Sequence, residues 1–277
     1  MLVTVIVSVY KDANALQCLL YGFERQTIND FEVIVAEDGD STEISGYLIN
    51  YVTNKYSIVH LTQEDKGFRK TMAVNRAIAM SKGEYLVFLD GDCIPHNNFI
   101  ENHVKNAGEG YYCAGRKMHL GKRWSAAVRL NPSEISKIQT WASLFKNIWG
   151  LHKDHVRNFE IGAPSRVFHE IFKEKKLSLV GCNFSIFKSD ILLVNGYDED
   201  LPGIGGEDDD LGTRLEALNV KSRNVKFKSI CYHLHHESRR VDWDLNKKIS
   251  QEKHMRAEYF ARNGVDGHYS EFKINND

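Results

Sequence analysis

Three short stretches of this 277-residue chain bring carboxylates and imidazoles close enough in sequence to act together. Asp90-Gly-Asp92 sets two carboxylates one residue apart, directly after an apolar run. Both can turn toward one hard divalent cation, or one can bind it through water; such a cation bridges a carboxylate to a diphosphate. A plain polar turn is the alternative, and the position after a buried strand argues against it. Gly203-Ile-Gly-Gly-Glu-Asp-Asp-Asp-Leu-Gly212 holds four successive acidic residues, whose mutual repulsion grows where water is scarce. They could simply be a solvated helix start favoured by the helix dipole. The preceding glycines point further, because they let backbone approach a ligand closely. A carboxylate at that helix start can serve as general base toward a hydroxyl. His233-Leu-His-His236 follows a strand-like run, so His233 and His235 would share one face and His236 the other. Imidazole beside carboxylate suits Mn2+ or another transition cation better than Mg2+. A surface histidine cluster is the alternative there.

These groups need elements to position them. Leu2–Val9 is rich in β-branched residues and polar only at Thr4 and Ser8, as in a strand covered on both faces. Helical spacing over Ala13–Gln26, a strand at Phe31–Ala36, a helix at Ile44–Tyr51 and a strand at Tyr56–Leu61 follow. A helix over Lys70–Met80 then leads to a strand, Gly83–Leu89, that runs into Asp90. This alternation predicts a parallel sheet with helices on both faces and a ligand crevice at the carboxyl ends of its strands. Tyr10–Asp12, Glu37–Asp40, Asp65–Arg69 and Asp90–Asp92 should converge there. Further on, Gly121–Lys176 reads as mostly helical, Leu179–Phe187 as a strand and Asp208–Leu218 as a helix. Val225–Leu234 reads as a strand and Asp242–Arg262 as a charged helix. No linker separates the halves, so one domain is expected, with its parts bounded at 1–115 and 116–240 and a helical tail over 241–277.

Composition narrows the classes. Hydrophobic residues make up 42% of the chain, enough for a large core. The formal charge of -1 creates no global field for nucleic acid, so no nucleic-acid partner is expected. Cys18, Cys93, Cys113, Cys182 and Cys231 show no CxxC spacing and read as reduced, mostly buried thiols of a cytosolic protein. The apolar start is too short to span a bilayer and lacks a basic flank and a cleavage site. Trp124, Trp141 and Trp149, interleaved with Lys and Arg, fit a core-packed helical lid better than an acceptor-binding or membrane-surface helix.

Taken in order, several motifs resemble family 2 glycosyltransferases of the GT-A fold, particularly bacterial enzymes of surface-polysaccharide synthesis. They are Ser8-Val-Tyr10, Ala36-Glu-Asp-Gly39, Asp65-Lys-Gly-Phe68, Gly83-Glu-Tyr-Leu-Val-Phe-Leu-Asp-Gly-Asp92, Gly181-Cys-Asn183 and Asn195-Gly-Tyr-Asp-Glu199. Gly205-Gly-Glu-Asp-Asp-Asp210 is also similar to the acceptor motif of β-1,4-galactosyltransferases and chondroitin polymerase. The resemblance implies a Rossmann-like, mostly parallel sheet with an acceptor-binding second half. It implies an inverting transfer from a UDP-sugar (Gal, Glc, GalNAc or GlcNAc) to a glycan or lipid-linked glycan, as in O-antigen, capsule or lipopolysaccharide. Asp208 would be the base, with Glu207, Asp209 and Gly206 on the acceptor. Ser8, Tyr10, Asp38, Lys66, Asp90 and Gly91 would line the donor. Asp92 and His233 would hold Mn2+ (or Mg2+), with His235 and His236 as alternatives to His233. Lys66, Arg69 and Lys70 could add positive charge near the phosphates. The expected place is the cytoplasm, with peripheral contact at the inner membrane face.

Two departures stand out: Ile204 replaces an aromatic common in the family, and Asn75-Arg76 reverses the family's Arg-Asn order. The rival readings are a nucleotidyltransferase, which would need a Gly-rich basic loop where Tyr10-Lys-Asp-Ala-Asn14 stands, and a non-catalytic carbohydrate-binding subunit.

Overall fold

A computed structural model describes residues 1–139, 156–237 and 242–273. Trp141, Trp149 and most of the basic stretch around them lie outside the described residues, and Trp124 is half-buried.

The first ninety residues run β1 (Val3–Val9), α1 (Ala13–Glu24), β2 (Phe31–Glu37), α2 (Thr42–Ile49), β3 (Tyr56–Leu61), α3 (Lys70–Met80) and β4 (Tyr85–Asp90). Next come β5 (Cys93–Pro95), α4 (Phe99–Lys105), β6 (Tyr111–Ala114), β7 (Arg116–His119), α5 (Lys122–Leu130), α6 (Ile135–Ile138) and α7 (Arg166–Phe172). The chain then forms β8 (Phe184–Phe187), α8 (Lys188–Leu192), α9 (Glu207–Ala217), β9 (Lys221–Asn224), β10 (Ile230–His233), α10 (Trp243–Met255) and α11 (Tyr269–Lys273).

Seven strands form one sheet in the order β3-β2-β1-β4-β8-β6-β9, and β5-β10-β7 form a smaller one. β1 lies between β2 and β4, parallel to both, with Ser8 opposite Asp90. Its valines and isoleucine are buried on both faces, which is why the run does not alternate. On one side Leu16, Leu19, Leu20 and Phe23 of α1 pack against Val5, Val7, Val33 and Val87. Each such side chain contributes about 1.5–3 kcal/mol by leaving water. On the other side Ala73, Val74, Ala77 and Ile78 of α3 meet Ile6, Ile34 and Phe88. Asp12 caps α1 by accepting from the Ala15 N–H at 2.9 Å.

The large sheet is mostly parallel, as expected, with β8 running antiparallel to both β4 and β6 within it. Several element bounds need correction. Only Phe184–Phe187 of the Leu179–Phe187 stretch is strand, because the Asn183 N–H closes a turn onto Val180 O. The last strand is likewise shortened to Ile230–His233, since Lys228 and Ser229 both donate to Val225 O. The tail helix stops at Met255. Among the described residues no helix is long and apolar enough to cross a membrane.

The acidic helix α9 is fixed from below. Arg214 forms an ion pair of 2.7 Å with Asp210, and both side chains are buried. The same guanidinium donates to Val194 O and Gly196 O, and Ser250 donates to the other Asp210 oxygen. Asp210, last of the acidic run, is thereby an anchor within the fold.

Candidate active site

The strand ends do bring the polar clusters together. Ser8 Oγ and Lys70 Nζ both donate to Asp90 Oδ1, each at 2.9 Å. Asp38, buried at the end of β2, accepts from Gln63 Nε2 at 2.8 Å and from the Arg69 N–H at 2.7 Å. Tyr10 is 43% exposed at the end of β1, with its hydroxyl 3.5 Å from Asp65. Gly91 donates to Ser8 O at 2.8 Å, and a Cβ there would come within 2.9 Å of Val9. Lys66 is exposed on the loop; the cation placed against Asp90 is Lys70, the first residue of α3. Burial disfavours the Lys70 ammonium, but Asp90, Asp208 and Glu207 outweigh that and raise its pKa well above the usual lysine value.

Asp92, Nε2 of His233 and Nε2 of His236 form a second cluster. The two nitrogens lie 3.4 and 3.2 Å from the same Asp92 oxygen and 3.2 Å from each other. The strand alternation expected for His233–His236 fails because β10 ends at His233. The chain then turns, bringing His236 back over Asp92, while the His235 N–H is bound by Ser125 at 2.7 Å. Burial works against the Asp92 carboxylate, yet the imidazoles of His236 and His233 hold its pKa below the ordinary carboxylate value. His236 is raised, chiefly by its bond to Asp92. Burial lowers His233 despite the pull of Asp92 and favours the neutral imidazole that can coordinate a cation. His233 Nδ1 is buried without a hydrogen-bond partner. One carboxylate and two imidazoles converging on a point match the donor set of a transition cation such as Mn2+.

The acidic helix start faces these clusters. Gly206 caps α9 at φ 92°, a conformation that glycine adopts without strain. Asp208 accepts from the Gly181 N–H at 2.8 Å and from the Tyr197 hydroxyl at 3.1 Å. A Cβ at position 181 would fall 2.4 Å from Asp208 Oδ1, so only glycine permits this approach. Burial pushes the Asp208 carboxyl up to about 7; Glu207 adds to the rise and Lys70 opposes it. Glu207 leaves Oε2 buried with no hydrogen-bond partner, an acceptor atom waiting for a donor. Asp209 is exposed and accepts from the indole N–H of Trp243 at 3.2 Å.

Residues 4–172 match the family model for glycosyl transferase family 2, and residues 166–237 match that for the N-terminal domain of galactosyltransferase. The chain belongs to glycosyltransferase family 2. Among curated relatives, the validoxylamine A glucosyltransferase of Streptomyces hygroscopicus subsp. jinggangensis is 27% identical over 79% of this chain and 52% of its own length. The chondroitin synthase of Escherichia coli is 24% identical over 80% of this chain and 32% of its own. The chain thus spans about half the length, or less, of these two curated relatives.

Solved structures show the same GT-A fold. S. aureus TarS in complex with UDP superposes with a TM-score of 0.59 at 14% identity, covering 99% of this chain and 71% of that one. A Pyrobaculum calidifontis mannosyltransferase in complex with GDP-Man and Mn2+ gives 0.56 at 15% identity, covering 92% and 64%.

Within this glycosyltransferase family 2 chain, sequence reasoning missed Tyr197 and Gly181 as supports of Asp208, and Trp243 as the neighbour of Asp209. The motif Asn195–Glu199 held the signal for Tyr197, since Asn75 ties that turn to α3 through Tyr197 O and N–H. Asn75 and Arg76 are both engaged within the fold, Arg76 with Thr62 O and Glu271.

Proposed function

We propose that this chain moves a hexosyl or N-acetylhexosaminyl group from a UDP-sugar to a glycan hydroxyl with inversion, in the synthesis of a bacterial surface polysaccharide. One observation carries the reading: Asp208 is held by Gly181 and Tyr197 at the start of α9, in the electrostatic reach of the Lys70–Asp90 pair, with burial pushing its carboxyl up to about 7. A base poised near the working pH beside a cationic anchor for phosphate is what a displacement from a diphosphate requires.

The donor lies across the strand ends. Tyr10 offers its exposed ring to the base, and Asp38 keeps free lone pairs for an imide N–H. Ser8 and Gly91 hold Asp90 and the strand end in place, and Lys70 neutralises phosphate charge. Lys66 closes over the diphosphate from the exposed loop. Asp92, His233 and His236 would hold a divalent cation, which supplies Lewis-acid stabilisation of the departing diphosphate. Asp208, oriented by Gly181 and Tyr197, takes the acceptor proton as that hydroxyl attacks opposite the diphosphate. Glu207 orients the acceptor through its free Oε2, and Gly206 lets the sugar approach the backbone.

Asp209 and Trp243 form the acceptor rim. Trp243 remains 36% exposed and sits against Gly205, where a Cβ would lie 3.3 Å from the Trp243 Cβ. The aromatic surface that Ile204 lacks is thereby supplied by the first residue of α10. Trp243→Ala is expected to raise acceptor KM about tenfold, the size of one lost aromatic contact, with donor hydrolysis unchanged. Trp243→Phe should recover part of that loss in the same steady-state assay.

The acceptor is a glycan or a lipid-linked glycan, and contact with the inner membrane face would be peripheral. Calorimetry with UDP, with and without Mn2+, tests the donor and cation assignments directly. Cation-dependent UDP binding is expected; no binding in either case would sink the donor assignment.

A further inference from the structure

Directly beneath the Asp92 cluster lie three thiols that the transfer reaction does not use. Cys93 begins β5, Cys231 lies on β10, and Cys182 sits in the turn before β8. All three are buried, none is in a disulfide, and their sulfurs lie within 4.8 Å of one another. Cys18 and Cys113 stand outside this group. We propose that Cys93, Cys182 and Cys231 form a binding site for one thiophilic divalent cation of the Zn2+ and Cd2+ class.

The dimensions permit it. Sulfurs no more than 4.8 Å apart place a central ion within about 2.8 Å of each, against about 2.3 Å for a zinc–sulfur bond. Closing that gap takes about half an ångström of side-chain movement, and the larger Cd2+ needs less. Cys93 Sγ lies 3.5 Å from Asp92 Oδ1, so the thiols adjoin the crevice and water from it can take the fourth position. Asn183 Nδ2 and Cys182 O flank Cys231 Sγ at 3.6 and 3.7 Å.

Charge also balances. Each thiol that becomes a ligand gives its proton to water, so three thiolates around a divalent ion leave one negative charge. The Lys117 ammonium, which feels Cys182, Cys93, Asp90 and Asp92, offsets it. The side chain of Asp92, 21% exposed, marks a route in from the crevice.

Softness separates this site from the one above it: thiolate selects zinc and cadmium, while carboxylate with imidazole accepts Mn2+. The alternative is that the thiols are packing residues, for which small, buried cysteines are well suited.

The test is a Cd2+ titration of the reduced full chain in excess Mn2+, read by the ultraviolet sulfur-to-cadmium charge-transfer band. The band should saturate at one Cd2+ per chain. It should persist in Cys18→Ala and in the Asp92→Asn, His233→Asn double variant, and be lost in Cys182→Ala and Cys231→Ala of native circular dichroism. No band in the wild-type chain, which needs no variant to fold, would overturn the proposal. A band undiminished in folded Cys182→Ala would overturn it as well.

Discussion

Asp208→Asn is expected to lower turnover by about 10²–10⁴-fold while UDP affinity, measured calorimetrically, stays near that of the parent chain. The amide keeps the size of the side chain; its oxygen accepts from the Gly181 N–H and its NH2 donates to the Tyr197 hydroxyl oxygen, so both contacts keep a partner. What disappears is the ability to take a proton. The wild-type pH profile follows from the same carboxyl, whose pKa burial raises to about 7. The base works deprotonated, so turnover should climb about tenfold per pH unit below that value and level off above it. In Asp208→Asn the residual rate should lose that limb. Turnover close to wild type would move the base to Glu207 or Asp209.

The second large effect is expected from Asp92→Ala. Both imidazoles converge on one oxygen of this carboxylate, so its loss dismantles the whole donor set. The Mn2+-dependent part of UDP binding should vanish, and turnover should fall on the order of 10³-fold, the loss of several kcal/mol of charge stabilisation. The histidines then separate. His236→Ala should weaken Mn2+ binding by about 10–100-fold, and His235→Ala should leave it unchanged. Electron paramagnetic resonance of free Mn2+ reads both. Equal effects of the two would contradict the turn that returns His236 to Asp92.

The contrast between His235 and His236 shows where sequence reading reaches its limit. Alternation is a property of a strand, and Ile230–His233 ends one residue into the histidine run. Nothing in the composition of Cys231–His236 marks that point. The first ninety residues were readable because long buried runs and helical spacing repeat there: Tyr56–Leu61 and Lys70–Met80 match their expected bounds. The smaller sheet was not readable. β7 is Arg116–His119, a polar four-residue strand stabilised by pairing with β10 rather than by its own pattern. Lys66 and Lys70 are alike in type, and only the start of α3 decides which one meets Asp90. Trp243 lies 39 positions beyond Ile204, so its approach to the acidic helix is a tertiary fact.

That approach has a consequence for how new specificities could arise. Helix α10 meets the crevice through its first turn: the Asp242 carboxylate accepts from the Ile204 N–H, and Asn246 donates to Pro202 O and Gly205 O. Asp208 is supported from elsewhere, by Gly181 and Tyr197. On the proposed assignment, the part of sugar recognition that Trp243 supplies and the removal of the proton by Asp208 would rest on different parts of the chain. Exchanging Trp243 and its exposed helical neighbours, with Asp242 and Asn246 retained, would give a set of enzymes sharing one chemistry and differing in the glycan they extend.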